Sequence, residues 1–486
     1  MKPHSETIHR YIVSDRIILY IASESFSNME RKKFIKQTLL TFPALCLGSS
    51  WLFSSCKKDD EIKTGNWRGD VIVVGAGIAG LHASKLLMNL GLNVTILEAT
   101  DKTGGRIRAL SGMAEYDIQL GAEEVHGKNS EWYKIVSNTP GVALHIPDGE
   151  DYYFLNDKLK SETDWAGDSV LTQAQTFIAA ATNYNGADVT VLEAEVARGN
   201  NPANFNITNA RIGNEYGTSN SRLSIKGITE EENLWESGDD NYNLKTGSYK
   251  DVLNHHYSSV IDKVLLNSAV VEIDYSGEKI TVKTTNNQTY IADRIIITTP
   301  LAMLKKETIN FTPALPAEKK AAIAKIGMGA GMKIILKFKN RFWDAATGSI
   351  IGGTNSVEIW TPGLGKSNTP ILTTFVMGEK AEYLSNLGND ATNVLLAELD
   401  LMYGGNVASA AFDDAYIIDW TKEPYIQGAY SYPVVGGGIA QRIELAKNVG
   451  KKIYFAGEAT NYKGHSATVH GALETAIRVV NELTQD

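Results

Sequence analysis

Asp70-Val71-Ile72-Val73-Val74-Gly75-Ala76-Gly77-Ile78-Ala79-Gly80 is the stretch from which the rest of the chain is read. Its first five residues are a β-branched run without polar alternation, which predicts a strand buried on both faces. Three glycines follow at once, spaced GxGxxG. The chain then reads as a helix to Leu90, with Ala79, Ala83, Leu86, Leu87 and Leu90 on one face and Gly91 ending it. Asn93–Leu97 is a second strand, closed by Glu98. Each part has a mechanical use in binding a dinucleotide. Gly75 allows the tight turn, Gly77 lets the backbone approach a pyrophosphate, and Gly80 lets helix and strand pack closely. The free N–H groups of the helix start, at Ile78 and Ala79, meet the phosphates with the positive end of the helix dipole. Glu98 lies 23 residues after Gly75, where an acid accepts the hydroxyls of the adenosine ribose. At this point NAD and FAD remain equal candidates.

Working outward, the chain has 486 residues, 43% hydrophobic and 21% charged, with a formal net charge of −9. That length suits two domains. The acidic balance sets nucleic acid aside as a partner. The two cysteines, Cys46 and Cys56, both lie near the N-terminus. The remainder therefore has no disulfide, thiolate nucleophile, cysteine metal site or cysteine-bonded flavin, and no metal is expected. From Met29 a basic stretch, Met-Glu-Arg-Lys-Lys-Phe-Ile-Lys, leads into an apolar run from about Leu39 to Phe53, then Ser54-Ser55-Cys56. This is the layout of a secretory leader, and the run is short for a spanning helix of about 20 residues. The end of the run resembles a bacterial lipobox, which implies an exported protein held at a membrane by a lipid on Cys56. Arg31-Lys32-Lys33-Phe34-Ile35-Lys36 resembles a twin-arginine signal with lysine for the second arginine, and the export route stays open. Residues 1–28 are read as an extension upstream of the true start.

Gly104-Gly105-Arg106, shortly after Glu98, separates the two cofactors. Here the sequence resembles the flavin-containing amine oxidases: monoamine, polyamine and spermine oxidases, histone lysine demethylases and L-amino acid oxidases. The resemblance implies that Gly105 and Arg106 contact the FAD phosphates, a task for a permanently charged, bidentate side chain. It continues in Lys452-Ile453-Tyr454-Phe455-Ala456-Gly457-Glu458, similar to the family's last strand and FAD turn, with Gly457 and Glu458 on the cofactor. Ala467-Thr468-Val469-His470-Gly471-Ala472 opens a last helix whose N-terminus, at Thr468 and Val469, points at the flavin pyrimidine edge. Val270-Val271-Glu272-Ile273 resembles the strand that meets adenine, with Val271 in contact. The strand from Ala292 to Pro300 ends near the cofactor.

The same resemblance places the chemistry. Gly331–Phe338, followed by Arg341-Phe342-Trp343, resembles the polyamine oxidase strand whose lysine holds a water against the flavin and assists reoxidation. Alternation alone does not choose between Lys333 and Lys337; the resemblance selects Lys333. Gly428-Ala429-Tyr430-Ser431-Tyr432 resembles the segment on the substrate side of the flavin. Tyr430 matches one of two cage tyrosines, Thr468 stands in place of the other, and Ala429 replaces a flavin-bonding cysteine, so FAD is expected to be non-covalent. An aromatic wall favours an amine. Gly121-Ala122-Glu123-Glu124-Val125-His126-Gly127 resembles a spermine oxidase motif, placing Glu124 and His126 along the substrate channel. An acid at Glu124 disfavours a substrate carboxylate.

The expected architecture is α/β: a Rossmann-like FAD domain from residues 67–125, 247–300 and 437–486, and a substrate domain with a mixed sheet from 126–246 and 301–436, after a linker at 57–66. Residues 130–245 read as a helical subdomain with long loops, with helices near Thr172–Thr182 and Val189–Arg198. Strands are expected at Met332–Phe338, Ser356–Thr361, Ile371–Met377 and Ala415–Trp420. The expected reaction is hydride transfer from the carbon beside an amine to flavin N5, with O2 reduced to hydrogen peroxide. An L-amino acid oxidase, a dehydrogenase or desaturase with an electron carrier, and a non-catalytic flavoprotein remain alternatives. Oligomeric state is not legible.

Overall fold

Strand β1 (Asp70–Val74) sits at the centre of a five-stranded parallel sheet. On one side it pairs with β2 (Asn93–Leu97), which pairs in turn with Val264–Leu265; on the other it pairs with Arg294–Ile297, followed by Ile453–Phe455. This computed structural model describes residue 62 and residues 65–485. The leader, Cys56 and the upstream extension lie outside the described residues. No helix among the described residues is long and apolar enough to cross a membrane.

The two faces of β1 go to different partners, as a period of two requires. Val71 and Val73 pack with Ala83 and Leu87 of α1 (Ile78–Asn89) and with Ala476, Val479, Val480 and Leu483 of the last helix, α2 (Val469–Gln485). Ile72 and Val74 pack with Ile273, Ile280 and Val282 of a four-stranded sheet stacked on the other face. The parallel sheet is thus the middle of three layers. Leu87 is fully buried, and truncating it to alanine costs about 2–5 kcal/mol.

A second, seven-stranded sheet runs in the order Phe412–Asp419, β3 (Gly331–Phe338), Ile371–Met377, Glu358–Trp360, Thr347–Ile351, Glu150–Leu155, Lys158–Ser161. It is mixed: Thr347–Ile351 and Glu150–Leu155 are parallel, and the other pairings are antiparallel. The four expected strands occur here within a few residues of the expected limits. Helices occupy Ser169–Ala181 and Val191–Ala197, the latter started by a capping box between Thr190 and Glu193.

Residues 130–245 are largely helical, as expected, but also hold strands. Ala143–His145 and Asn241–Thr246 pair with each other, and Glu150–Ser161 is a β-hairpin that extends the mixed sheet. Its turn, Asn156-Asp157, holds both residues at positive φ (52° and 58°), the twist that a two-residue hairpin needs. The strands that build this sheet come from both sides of residues 241–300, so segments of the cofactor layer lie between its parts in the sequence.

Candidate active site

The two sheets enclose a cavity of about 630 Å³. Its upper part lies past the carboxyl ends of the parallel strands, where Val74, Leu97, Thr298 and Gly457 face it. That is the position at which open α/β sheets bind ligands.

This part is shaped for a dinucleotide. Gly75 has φ +105°, a conformation that disfavours any side chain. A Cβ on Gly80 would stand 1.9 Å from the Gly75 carbonyl oxygen, so α1 can approach β1 only with glycine there. Gly77 differs: its φ is −71°, and an added Cβ would meet no protein atom within 4 Å. It opens onto the cavity as the N-cap of α1 and supplies no side chain to cap the helix, so the first N–H groups, at Ile78 and Ala79, are left for an anion. Glu98 is pinned by Ala76 N–H (2.7 Å) and by the Thr100 N–H (3.0 Å) and hydroxyl (2.8 Å). Its Oε2 accepts from Ala76 alone among these and keeps a lone pair for a ribose hydroxyl. Val271 is 38% exposed because it faces the cavity. The residues present therefore fit a dinucleotide along their whole length.

Gly105 lines the cavity with its neighbour Arg106, whose Nη1 donates to the Ala429 carbonyl (2.7 Å) and to Glu458 Oε1 (3.0 Å). Glu458 is buried, which alone would raise its pKa. The Arg106 charge, the Ser431 hydroxyl and Arg442 outweigh burial and hold it below the ordinary carboxylate range. Its Oε2 also accepts from Ala467 N–H (3.0 Å), which ties the Gly457–Glu458 turn to the start of α2. Thr468 caps that helix by accepting from Gly471 N–H at 2.9 Å, while its own hydroxyl donates to the His465 carbonyl. Thr468 and Val469 both border the cavity.

The lower part is walled by the mixed sheet. Lys333 is fully buried. Its Nζ donates to Glu123 Oε2 (2.7 Å) and the Gln119 carbonyl (2.8 Å), with the rings of Phe375 and Trp360 at 5.2 and 5.4 Å. Lys337, the other lysine on this face, is part exposed at the rim, 4.0 Å from Asp413. Tyr430 lines the cavity, and its hydroxyl donates to the Glu215 carbonyl (2.9 Å). His126 Nδ1 meets Asn241 Oδ1 (2.8 Å), with Glu124 Oε2 at 3.8 Å. Glu124 is 48% accessible, but that surface faces the cavity and not the outer solvent. Burial, with Glu215, Glu123 and Glu358 nearby, pushes its pKa up to about 8.

Sequence reading does not reach Glu123, Trp360, Arg211, Glu215 and Glu358. Arg211 belongs to a π-helical stretch, Asn209–Asn214, an irregularity that concentrates at functional sites. It bridges Asp151 (2.6 Å) and Glu358 (3.1 Å). Glu123 is in view as the neighbour of Glu124, but nothing local in the sequence says which of the two carboxylates meets the lysine.

Behind the wall, His465, His470 and Glu474 have ligand-type atoms within 4.8 Å of one another. They already satisfy each other: His465 Nδ1 meets Glu474 at 2.9 Å, and the Ser237 hydroxyl reaches His465 Nε2 (3.1 Å) and His470 Nε2 (2.9 Å). Burial, then the neighbouring histidines, push His470 far below the ordinary range, so it is uncharged. The cluster braces the loop before α2.

A Rossmann-like layer with a bare helix start, stacked over a mixed sheet that carries a buried lysine, defines a dinucleotide-dependent oxidoreductase fold. The profile of the family described as flavin containing amine oxidoreductase matches residues 214–484, and that of the NAD(P)-binding Rossmann-like domain matches residues 73–138. The chain belongs to the flavin-containing amine oxidoreductase family, and FAD is its cofactor. It is 28% identical over 464 residues to lysine-specific histone demethylase 2 of Homo sapiens, covering 85% of this chain and 53% of that protein. It is 28% identical over 442 residues to polyamine oxidase 4 of Oryza sativa subsp. japonica, covering 85% and 88%. The chain thus spans only about half the length of the human demethylase. Among solved structures it superposes on a putrescine oxidase double mutant (TM-score 0.73, 20% identity, 86% and 99% of the two chains) and on cyclohexylamine oxidase from Brevibacterium oxydans IH-35A (TM-score 0.73, 17% identity, 86% and 98%). At that identity these two show the fold.

Proposed function

We propose that the chain is an FAD-dependent amine oxidase whose substrate carries a second cationic group, as a diamine or polyamine does. One observation carries the reading. Each arginine or lysine that lines the cavity is held by a carboxylate: Arg106 by Glu458, Arg108 by Glu423, Arg211 by Asp151 and Glu358, and Lys333 by Glu123. Among the described residues a substrate carboxylate finds no uncommitted arginine or lysine in the cavity wall, and it meets Glu124 and Glu215 in the same chamber. This disfavours an L-amino acid. A primary ammonium, by contrast, has acidic and aromatic partners, including Trp360, Phe375 and Tyr430.

FAD supplies the acceptor for the hydride that leaves the carbon beside the amine. The protein's part is orientation and exclusion of water. Tyr430 and Trp360 wall the reacting amine, Glu124 and Glu215 draw its distal cation, and Lys333 holds a donor in place at the floor. Oxidation gives an imine that water hydrolyses, with O2 taking the electrons as hydrogen peroxide. Ala429 offers no nucleophile to a flavin, in keeping with non-covalent FAD.

The test is steady-state kinetics with a diamine and a monoamine of equal chain length. At pH 8.5, where Glu124 is mostly ionised, Glu124→Gln is expected to raise KM for the diamine about 10-fold, the worth of one charge-assisted hydrogen bond, and to leave the monoamine within a factor of two. Equal effects on both would remove the distal-cation reading. We also propose that Cys56 carries a lipid. Labelled fatty acid should enter the full chain and be lost in Cys56→Ala; unchanged labelling would refute that.

A further inference from the structure

Lys333 is the most deeply placed cation of the cavity wall, and its surroundings are unusual for a side chain that only lines a pocket. The ammonium has three donors. One goes to the Gln119 carbonyl and one to Glu123 Oε2, both at 2.8 Å or less. The carboxylate is itself fixed: its Oε1 accepts from Trp360 Nε1 at 3.2 Å, and the backbone carbonyl of Glu123 accepts from the Tyr249 hydroxyl at 2.7 Å. Glu123 and Gln119 come from the segment beside the cofactor layer, whereas Lys333, Trp360 and Phe375 come from the mixed sheet. The pair is therefore a bridge between the two layers, closed at the cavity floor.

We propose that Glu123 is the positioning residue of this site. It fixes one donor of Lys333 as the Gln119 carbonyl fixes another, and so leaves the third for the cavity. It also sets an opposite charge beside the ammonium at 2.7 Å. An uncompensated buried ammonium sheds its proton, and a buried lysine without a fixed partner has no single direction. The other titratable groups close to the pair are Glu124 on the same segment, Tyr116 preceding it, Tyr249 on the helix Tyr249–Ile261, and Lys366 on the loop before Ile371–Met377.

The proposal rests on the amine-oxidase reading only for the use to which the third donor is put, so its test is made on stability. Melting temperatures of the FAD-loaded wild type, Glu123→Gln, Lys333→Met and the double variant are compared between pH 6 and pH 10. With Lys333 present, Glu123→Gln leaves an unpaired buried ammonium and is expected to lower the melting temperature by about 5 °C at pH 6. The folded protein then binds fewer protons at Lys333 than the unfolded chain, so the deficit shrinks as pH rises. In the Lys333→Met background the same change is expected to cost little and to show no such slope. Additive effects, or equal slopes in both backgrounds, would overturn the proposal. If Glu123→Gln yields no folded protein, Glu123→Asp keeps the charge at shorter reach. The proposal expects Glu123→Asp to follow the pH dependence of the wild type, and an added lysine-dependent slope there would overturn it too. Flavin reoxidation by oxygen, measured on Lys333→Met, separately tests what the ammonium is for. Unchanged reoxidation would remove that role without touching the coupling.

Discussion

Glu124 is a cavity residue whose chemistry changes on entering the fold. A carboxyl pushed up to about 8 by burial and by its acidic neighbours is largely protonated at neutral pH and ionises as pH rises toward 9. KM for a diamine is therefore expected to fall between pH 7 and 8.5, before the substrate itself loses its protons, and Glu124→Gln should flatten that fall. The linkage has the opposite sign for stability. Between the ordinary carboxyl pKa and about 8 the folded state binds more protons at Glu124 than the unfolded chain, so this group makes the protein less stable as pH rises. Glu124→Gln should accordingly raise the melting temperature at pH 8 relative to pH 5. At this scale the sequence is partly legible. His126, Glu124 and Tyr430 face the cavity and are legible because each lies in a compact local motif. Glu123 and Arg211 are not legible, because nothing local distinguishes a carboxylate that meets a buried lysine from its neighbour, and Arg211 depends on a π-helical offset that periodicity does not report.

Among the elements, the start of α1 makes the most discriminating forecast. Gly77 is in an ordinary conformation and faces open space, so Gly77→Ala should leave the melting temperature of FAD-free protein within about 1 °C. The same methyl stands where a pyrophosphate would approach, so FAD affinity, read by flavin fluorescence titration, should fall 10-fold or more. Gly80→Ala should instead fail in both, since its Cβ collides with the Gly75 carbonyl oxygen. Equal behaviour of the two variants would contradict the assignment of Gly77 to the ligand. The βαβ unit is readable because every local preference agrees: β-branched run, glycine turn, apolar helix face and closing acid. The hairpin Glu150–Ser161 is not, although Tyr152-Tyr153-Phe154-Leu155 and an Asn-Asp turn are its signature. Its polar flanks resemble the loop-rich sequence around it, and its pairing partner, Thr347–Ile351, lies almost 200 residues further on. Local pattern does not reveal a parallel partner at that distance.

For the whole molecule, function follows from the stacking of two layers with opposite demands. The parallel sheet presents glycines and helix starts suited to an anion, and the chamber over the mixed sheet is lined by carboxylates and aromatic rings. Arg106–Glu458 and Lys333–Glu123 are charge pairs along their shared wall. The cofactor layer can be read from both ends of the chain because its segments carry compact motifs. The acidic chamber cannot, since Asp151, Glu215 and Glu358 come from separate elements and meet only in the fold. The function proposed for this chamber is oxidation of an amine, with preference for one that carries a second positive charge. The most direct measurement mixes the FAD-loaded protein, without oxygen, with a diamine, a monoamine and an L-amino acid, and follows the visible absorbance of the oxidised flavin. Fastest bleaching by the diamine, slower bleaching by the monoamine, none by the amino acid, and hydrogen peroxide on admitting air are the predicted results. Bleaching by the amino acid alone, or by none of the three, would contradict the account.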